Sequence, residues 1–396
     1  MTPTQFLRKI FNQHCQNIHA TRLNALIQAS EGLIQGKKLS LTGLGRGLVN
    51  PAKVKNNIKK IDRLLGNRNI CEDRLKLYKA SSRLLIGTQG RPVVLVDWSS
   101  VRRQRDLWII RASIPLGGRS LSLYEEVYPE KLLDNLKITK RFLLRLKEIL
   151  PEACKPILVT DAGFRGPWFK VIQELGWDFV GRIRGMTSFR WLDAKKWEPC
   201  KTLHPRATYE AEYLGQAQIV ESNPYIANLF TMRGRPKNRI HRTIRGTRFM
   251  GSSSRKQAKG AVEPWLLSTS LSPTDQTAKT VVEIYKSRMQ IECSFRDVKN
   301  QRNGFSLSET LSKDPQRIEA LLLIGMIATL ALWLAGAVGY KNKLQYEYQA
   351  NTVKTRRILS LFSLGIGMFS SAQHYVFTAA QLFEMLFQMQ HMGLQI

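Results

Sequence analysis

The chain predicts an α/β fold built on a mixed sheet, with helical regions at both ends, and three observations predict it. Two short apolar runs, Pro92-Val-Val-Leu-Val-Asp97 and Lys155-Pro-Ile-Leu-Val-Thr-Asp161, read as buried strands that each end on a carboxylate. Between residues 91 and 183 the hydrophobic pattern follows the order β-β-β-α-β-α-β, which an α/β arrangement requires. Outside that region apolar residues recur at helical spacing, from Leu23 to Leu65 and again beyond Leu321.

The elements follow in chain order. Leu23, Leu26, Ile27 and Leu33 form a helical stripe, and Leu41 to Leu48 is a short piece punctuated by glycine. The next helix has Val54, Ile58, Ile61 and Leu65 on one side. Lys53, Lys55, Lys59, Lys60 and Arg63 spread over the others, and Gly66 is a natural stop. Residues 1–88 therefore look like a helical DNA-binding domain, with an ordinary bundle carrying a solvated basic face as the alternative. Gly43-x-Gly45-x-Gly47 is not a nucleotide loop, since no clear strand feeds it.

The sheet occupies 89–184, resumed at 262–310. After the Asp97 strand come Leu107–Pro115 and Ser120–Val127, joined as a hairpin at Gly117-Gly118. A helix through Phe142, Leu143, Leu146 and Ile149 precedes the Asp161 strand. A helix from Trp168 to Leu175 and a strand from Asp178 to Ile183 complete the set. Residues 185–261 read as a basic, β-rich insertion with no acid between Glu221 and Glu263. Its centre (Arg233, Arg235, Lys237, Arg239, Arg242, Arg245, Arg248) suits DNA backbone contact or a flexible basic loop. Glu263-Pro-Trp265-Leu-Leu-Ser returns to strand, and Thr277 caps the helix that follows. Residues 311–396 form a helical C-terminal region. There, Leu321–Val338 is long and apolar enough to raise a membrane span, but its glycines and alanines suit a helix buried between protein layers.

Composition narrows the function. A formal charge of +31 over 396 residues implies a polyanionic partner, and nucleic acid is the usual one. Cys15, Cys71, Cys154, Cys200 and Cys293 are scattered with no CxxC pair, which argues for a reducing compartment and against a zinc module. His14, Cys15 and His19 lack a second ligand cluster, and the N-terminus does not read as a signal peptide. A cytoplasmic, nucleoid-associated protein with no membrane partner is expected.

One stretch organises the chemistry: Tyr285-Lys-Ser-Arg288-Met-Gln-Ile-Glu292-Cys-Ser-Phe-Arg-Asp-Val-Lys299, read as a single helix with no Gly or Pro. At roughly 100° per residue, Tyr285, Arg288, Glu292 and Lys299 fall within about a 60° arc. Such a face suits a phosphate and a metal side by side, or a solvated salt-bridge row. Two acids at strand ends and one on a later helix are what two-metal phosphoryl transfer needs. Asp97 would bridge the ions, and Asp161 and Glu292 would each hold one. No convincing Ser/His/Asp set, phosphate loop or zinc cluster competes.

These residues also carry a resemblance. Asp97, the Asp161-Ala-Gly-Phe164 turn, and Tyr285-x2-Arg288-x3-Glu292-x6-Lys299 look like the DDE triad and YREK signature of bacterial insertion-sequence transposases. Leu-Val-Asp97-Trp-Ser, Leu123-Tyr-Glu125, the run from Asn56 to Asn67, and Gln349-Ala-Asn-Thr-Val353 extend the likeness over nearly the full chain. It is similar to the transposon-ten-type enzymes of the IS-four family. The resemblance implies an RNase H-like catalytic core, two Mg²⁺ ions with Mn²⁺ able to substitute, and double-stranded DNA partners: transposon-end inverted repeats and target DNA. It further implies a homodimeric synaptic complex and cut-and-paste transposition through a hairpin. Tyr285, Arg288 and Lys299 would grip phosphates, Trp265 would stack a displaced base, and Lys55, Lys59, Lys60 and Arg63 would contact DNA. Cys293 beside Glu292 is a local departure that leaves the signature intact. A nuclease of the same core without strand transfer, and an inactive DNA-binding regulator, are the competing expectations.

Overall fold

The computed structural model of the protein describes residues 1–392 other than 103, 105, 134, 236–246, 248–250, 253–262, 274–276, 372 and 374. Lys237, Arg239, Arg242, Arg245 and Arg248 of the basic insertion lie outside the described residues. The chain forms two compact units, one comprising Met1–Cys154 with Met289–Gln395, the other Lys155–Arg288.

The first unit opens with five helices: α1 (Pro3–His14), α2 (Ala20–Gly36), α3 (Leu41–Gly47), α4 (Val54–Leu65) and α5 (Ile70–Ile86). Helix α1 begins with a capping box between Thr2 and Gln5 and buries Phe6, Leu7, Ile10 and Phe11. The α3 glycines turn out to be packing residues. A Cβ at Gly45 would come within 2.7 Å of Ile58 on α4, and one at Gly47 within 2.1 Å of the Gly32 carbonyl on α2. The α4 stripe is shifted from the expected one. Asn57, Ile61, Leu64 and Leu65 are buried, whereas Val54 is 52% exposed, because helix entry leaves the first turn outside the bundle.

Strands β1 (Val93–Ser100), β2 (Leu107–Leu116) and β3 (Arg119–Pro129) make an antiparallel meander, followed by α6 (Leu136–Ile149). The β2–β3 turn is Gly117-Gly118, with φ of 52° and 96°. Two consecutive positive values define the primed turn that matches strand twist, and glycine reaches them without strain. Register sets Asp97 opposite Arg111, and Arg111 opposite Glu125.

After the second unit the chain returns as α9 (Met289–Lys299), α10 (Pro315–Lys341), α11 (Gln345–Tyr348), α12 (Leu361–Ser370) and α13 (Ala379–Met392). Helix α10 is long and apolar enough to cross a membrane, yet 94% of its most apolar 18-residue window is buried inside the protein. It is apolar on all sides because it is covered on all sides, by α1, α2, β3, α12 and α13. Backbones touch where α10 meets α12: a Cβ at Gly336 would lie 2.0 Å from the Leu361 carbonyl, and one at Gly365 2.2 Å from that of Leu332.

The second unit begins with a parallel β-α-β turn, β4 (Ile157–Thr160), α7 (Gly166–Glu174) and β5 (Asp178–Ile183). The insertion adds β6 (Ser188–Trp191), β7 (Glu198–Pro199), β8 (Glu212–Ile219) and β9 (Tyr225–Met232), before β10 (Trp265–Thr269) and α8 (Ala278–Lys286). Within this unit the strand order is β4-β5-β10-β9-β8-β6-β7, so the insertion continues one mixed sheet. The β-β-β-α-β-α-β order expected for 91–183 is observed.

The organising stretch is not one helix. α8 ends at Lys286 and α9 begins at Met289. The Ser287 amide donates to both Glu283 and Ile284, its hydroxyl bonds the Ile284 carbonyl at 2.6 Å, and the Arg288 amide tightens to Tyr285. A serine competing for the helix's own carbonyls breaks it where no Gly or Pro gives warning. Tyr285 and Arg288 thus belong to the second unit, Glu292 and Lys299 to the first.

Candidate active site

In the first unit the apolar run Val93–Val96 fixes β1 in the core, and Asp97 is the first residue of the strand to lose full burial. Its Oδ1 accepts the Trp98 amide at 2.8 Å. Helix α9 packs on β1, β2 and β3 through Ile291, Phe295 and Val298. Glu292 and Lys299, two turns apart, share a side of that helix. The Lys299 ammonium donates to Ser99 Oγ at 2.7 Å and to the Ser100 carbonyl at 3.1 Å, which brings it to the end of the Asp97 strand. Phe295 lies between two cations, with Arg111 4.2 Å and Lys299 5.6 Å from its ring centre. Burial first, then the charge of Arg111, lowers the Lys299 pKa to about 8, while Asp97 pulls it back up. Asp97 and Lys299 are electrostatic neighbours.

Arg111 was not singled out from sequence. It forms a buried ion pair with Glu125 at 2.6 Å, and Glu125 also accepts the Tyr78 hydroxyl at 3.0 Å. Glu126, on the other face of β3, accepts from Tyr124 at 2.6 Å and pairs with Arg145. Both glutamates are 1% exposed. Two adjacent acids inside the apolar run Leu121–Val127 were the signal that could have found this network.

In the second unit Asp161 follows β4 directly. Its Oδ1 accepts the Gly163 amide at 2.8 Å, a local turn that fixes the carboxylate at the strand end. Thr277 caps α8 through the Thr280 amide, and α8 buries Tyr285. Trp265, the first residue of β10, meets the Tyr285 ring edge-on at 5.1 Å and stays half-buried. Burial raises the Tyr285 pKa, Arg288 and Arg182 pull it back, and Asp161 adds to the rise. Both guanidiniums and the carboxylate therefore act on the phenol. Arg182 is a further residue that sequence reasoning missed, and its Nε is buried without a hydrogen-bond partner among the described residues.

The remaining site candidates, Lys55, Lys59, Lys60 and Arg63, are all exposed on α4, with Lys60 bonded to Gln28 at 2.5 Å.

The family model for the transposase DDE domain matches residues 133–331, just over half of the chain. The chain belongs to this family. No curated protein matches it. The matched span of this transposase-family chain contains Asp161, Trp265, Tyr285, Arg288, Glu292 and Lys299 and begins after Asp97.

DDE transposase domains generally use divalent metal ions. Among the described residues no three His, Cys, Asp or Glu side chains form a ready-made metal cage. The donor set nonetheless fits magnesium, which takes hard oxygen ligands, keeps several waters, and is held by one or two carboxylates together with substrate phosphates.

Proposed function

We propose that the protein is an insertion-sequence transposase of the IS-four type that binds the terminal inverted repeats of its element. It cleaves them by Mg²⁺-dependent phosphoryl transfer, through a hairpin, and joins the 3′ ends to target DNA as a homodimer. The observation that carries this reading is the pairing of strand-end carboxylates with phosphate-binding cations in a chain of this family. Asp97 neighbours Lys299 in one unit, and Asp161 neighbours Tyr285 with Arg182 and Arg288 in the other. The β-β-β-α-β-α-β order, with Asp97 in its first strand and Asp161 after its fourth, supports an RNase H-like core over 89–184 and 262–310.

Asp97, Asp161 and Glu292 would hold the metal, Mg²⁺ with Mn²⁺ as a substitute; a bound pair of such ions supports both the attacking and the leaving oxygen. Arg288, Lys299 and Arg182 bind the phosphates flanking the cut and offset their charge. Tyr285, whose hydroxyl stays protonated, donates a hydrogen bond. Trp265 offers a half-buried aromatic face to a base leaving the stack. Arg111, fixed by Glu125, keeps the floor beneath Asp97 rigid.

The reading is tested by purified protein, Mg²⁺ and DNA bearing the inverted repeats that flank the reading frame, scored for nicks, hairpins and strand-transfer products. Asp97→Asn, Asp161→Asn and Glu292→Gln should each abolish cleavage and keep end binding. Cleavage at near wild-type rate by any one of them removes that residue from the metal site. Nicks without strand transfer by the wild type would make the protein an endonuclease instead.

A further inference from the structure

The segment after α11 has no part in the chemistry above, yet it is built with care. Gln349, 8% exposed, gives its whole amide to the backbone that follows. Its Nε2 donates to the Val353 carbonyl at 2.7 Å and the Arg356 carbonyl at 3.1 Å, and its Oε1 accepts the Ile358 amide at 3.1 Å. The clamp fixes the path of 350–358 and leaves Lys354 and Arg356 in solvent. Arg357 is half-buried with its guanidinium over the Tyr340 ring at 4.8 Å, and its Nη1 is buried with no hydrogen-bond partner among the described residues. No acid occurs in sequence between Glu347 and Glu384. Burial holds the Arg357 pKa below the ordinary arginine value, with Tyr340 acting the other way and the charge of Arg119 adding a little to the fall. Arg119 is itself held by Asp297 at 2.6 Å. Beside the clamp a cavity of about 350 Å³ is lined by Tyr346, Gln349, Asn351 and Lys354.

A guanidinium that keeps an orphan N–H, in a stretch with no acid between Glu347 and Glu384, is short of one anion. A fixed loop with two more cations in solvent at neighbouring sequence positions extends that demand, which matches a chain of phosphates better than a single small ion. We propose that the Gln349-clamped loop is a second DNA-backbone site, where Arg357 takes one phosphate of double-stranded DNA and Lys354 and Arg356 take its neighbours. The proposal rests on the reading of the chain as a DNA-acting enzyme.

The test uses the full chain in EDTA and a fluorescent duplex of about 30 base pairs of arbitrary sequence, titrated from low to high salt. Arg357→Gln and the double variant Lys354→Gln/Arg356→Gln should each bind about three- to tenfold more weakly at 0.1 M salt. The slope of log affinity against log salt should fall by about one for each phosphate no longer held. Thermal melting reports folding, and if Arg357→Gln does not fold, the double variant, altered only at exposed positions, decides. Nicking by the variants at saturating DNA and Mg²⁺ should match the wild type, as a binding site outside the chemistry requires. Wild-type affinity and slope in the folded variants would overturn the proposal. Failure of the wild type to bind any duplex would instead overturn the functional reading beneath it.

Discussion

Lys299 gives a pH dependence close to neutrality. Its ammonium is buried against Phe295, faces Arg111, and is only partly compensated by Asp97, Ser99 Oγ and the Ser100 carbonyl, so its pKa falls to about 8. A lysine whose folded pKa is depressed binds its proton less readily than the unfolded chain does. It is charged below pH 8 and neutral above. A phosphate bound there needs the charged form. Between pH 7 and pH 9 the charged fraction falls from roughly nine-tenths to one-tenth, so affinity for DNA placed in the site should drop about tenfold, about 1.4 kcal/mol. The assay is anisotropy of a transposon-end duplex in EDTA, at constant ionic strength, from pH 6.5 to 9.5. Lys299→Met should show the weak limit throughout with no inflection near 8. Lys299→Arg, always charged, should keep strong binding at pH 9 if the larger head is accommodated. By linkage the wild-type protein should also gain stability as pH rises above 8, because there the unfolded chain holds the proton that Lys299 has lost. An inflection near 8 that persists in Lys299→Met would refute the reasoning, since another group would then be titrating.

Trp265→Ala should spare first-strand nicking and impair hairpin formation, with partial rescue by a substrate lacking the displaced base; equal loss of both steps with a lowered melting temperature would return Trp265 to a purely structural place beside Tyr285. Reversing the charge of Lys59, Lys60 and Arg63 together should weaken end binding and flatten its salt dependence, and unchanged affinity across a salt titration would leave α4 as a solvated face. Arg111→Met should cost about 3–5 kcal/mol in urea unfolding, because the Glu125 carboxylate stays buried without its ion-pair partner; a loss below about 1 kcal/mol would mean that the Tyr78 hydroxyl suffices to hold it.

Much of this was legible because burial leaves a mark on sequence. Val93–Val96 and Ile157–Thr160 are covered on both sides, so they read as uninterrupted apolar runs, and an acid at each end stands out. Gly117-Gly118 was legible for a different reason: only a primed turn wants two glycines between strands. Helix α5 was not foreseen, because it buries Asp73 and Arg74 along with Leu77 and Leu85, and polar residues in its core face blur the stripe. The split between α8 and α9 left no trace either, since a serine hydroxyl turned onto its own helix has no compositional signature. The cations Arg111 and Arg182 escaped notice because each lies inside a strand, where a pattern reader expects apolar residues. Their partners, Glu125 and Glu263, are distant in sequence.

Helix α10 carries a consequence for the making of the protein. Its N-terminal cover, α1, α2 and β3, leaves the ribosome before it, but α12 and α13 come roughly 20–50 residues later. At about 5–20 residues per second that is an interval of seconds. Throughout it, a helix of 27 residues with the composition of a membrane span stands with one side bare. The nascent chain is then a client for whatever recognises such segments, and release from that state requires Gly336 and Gly365 to let α12 settle with its backbone against α10. A ribosome that stalls or terminates before residue 361 delivers a chain in which α10 has lost the cover of α12 and α13.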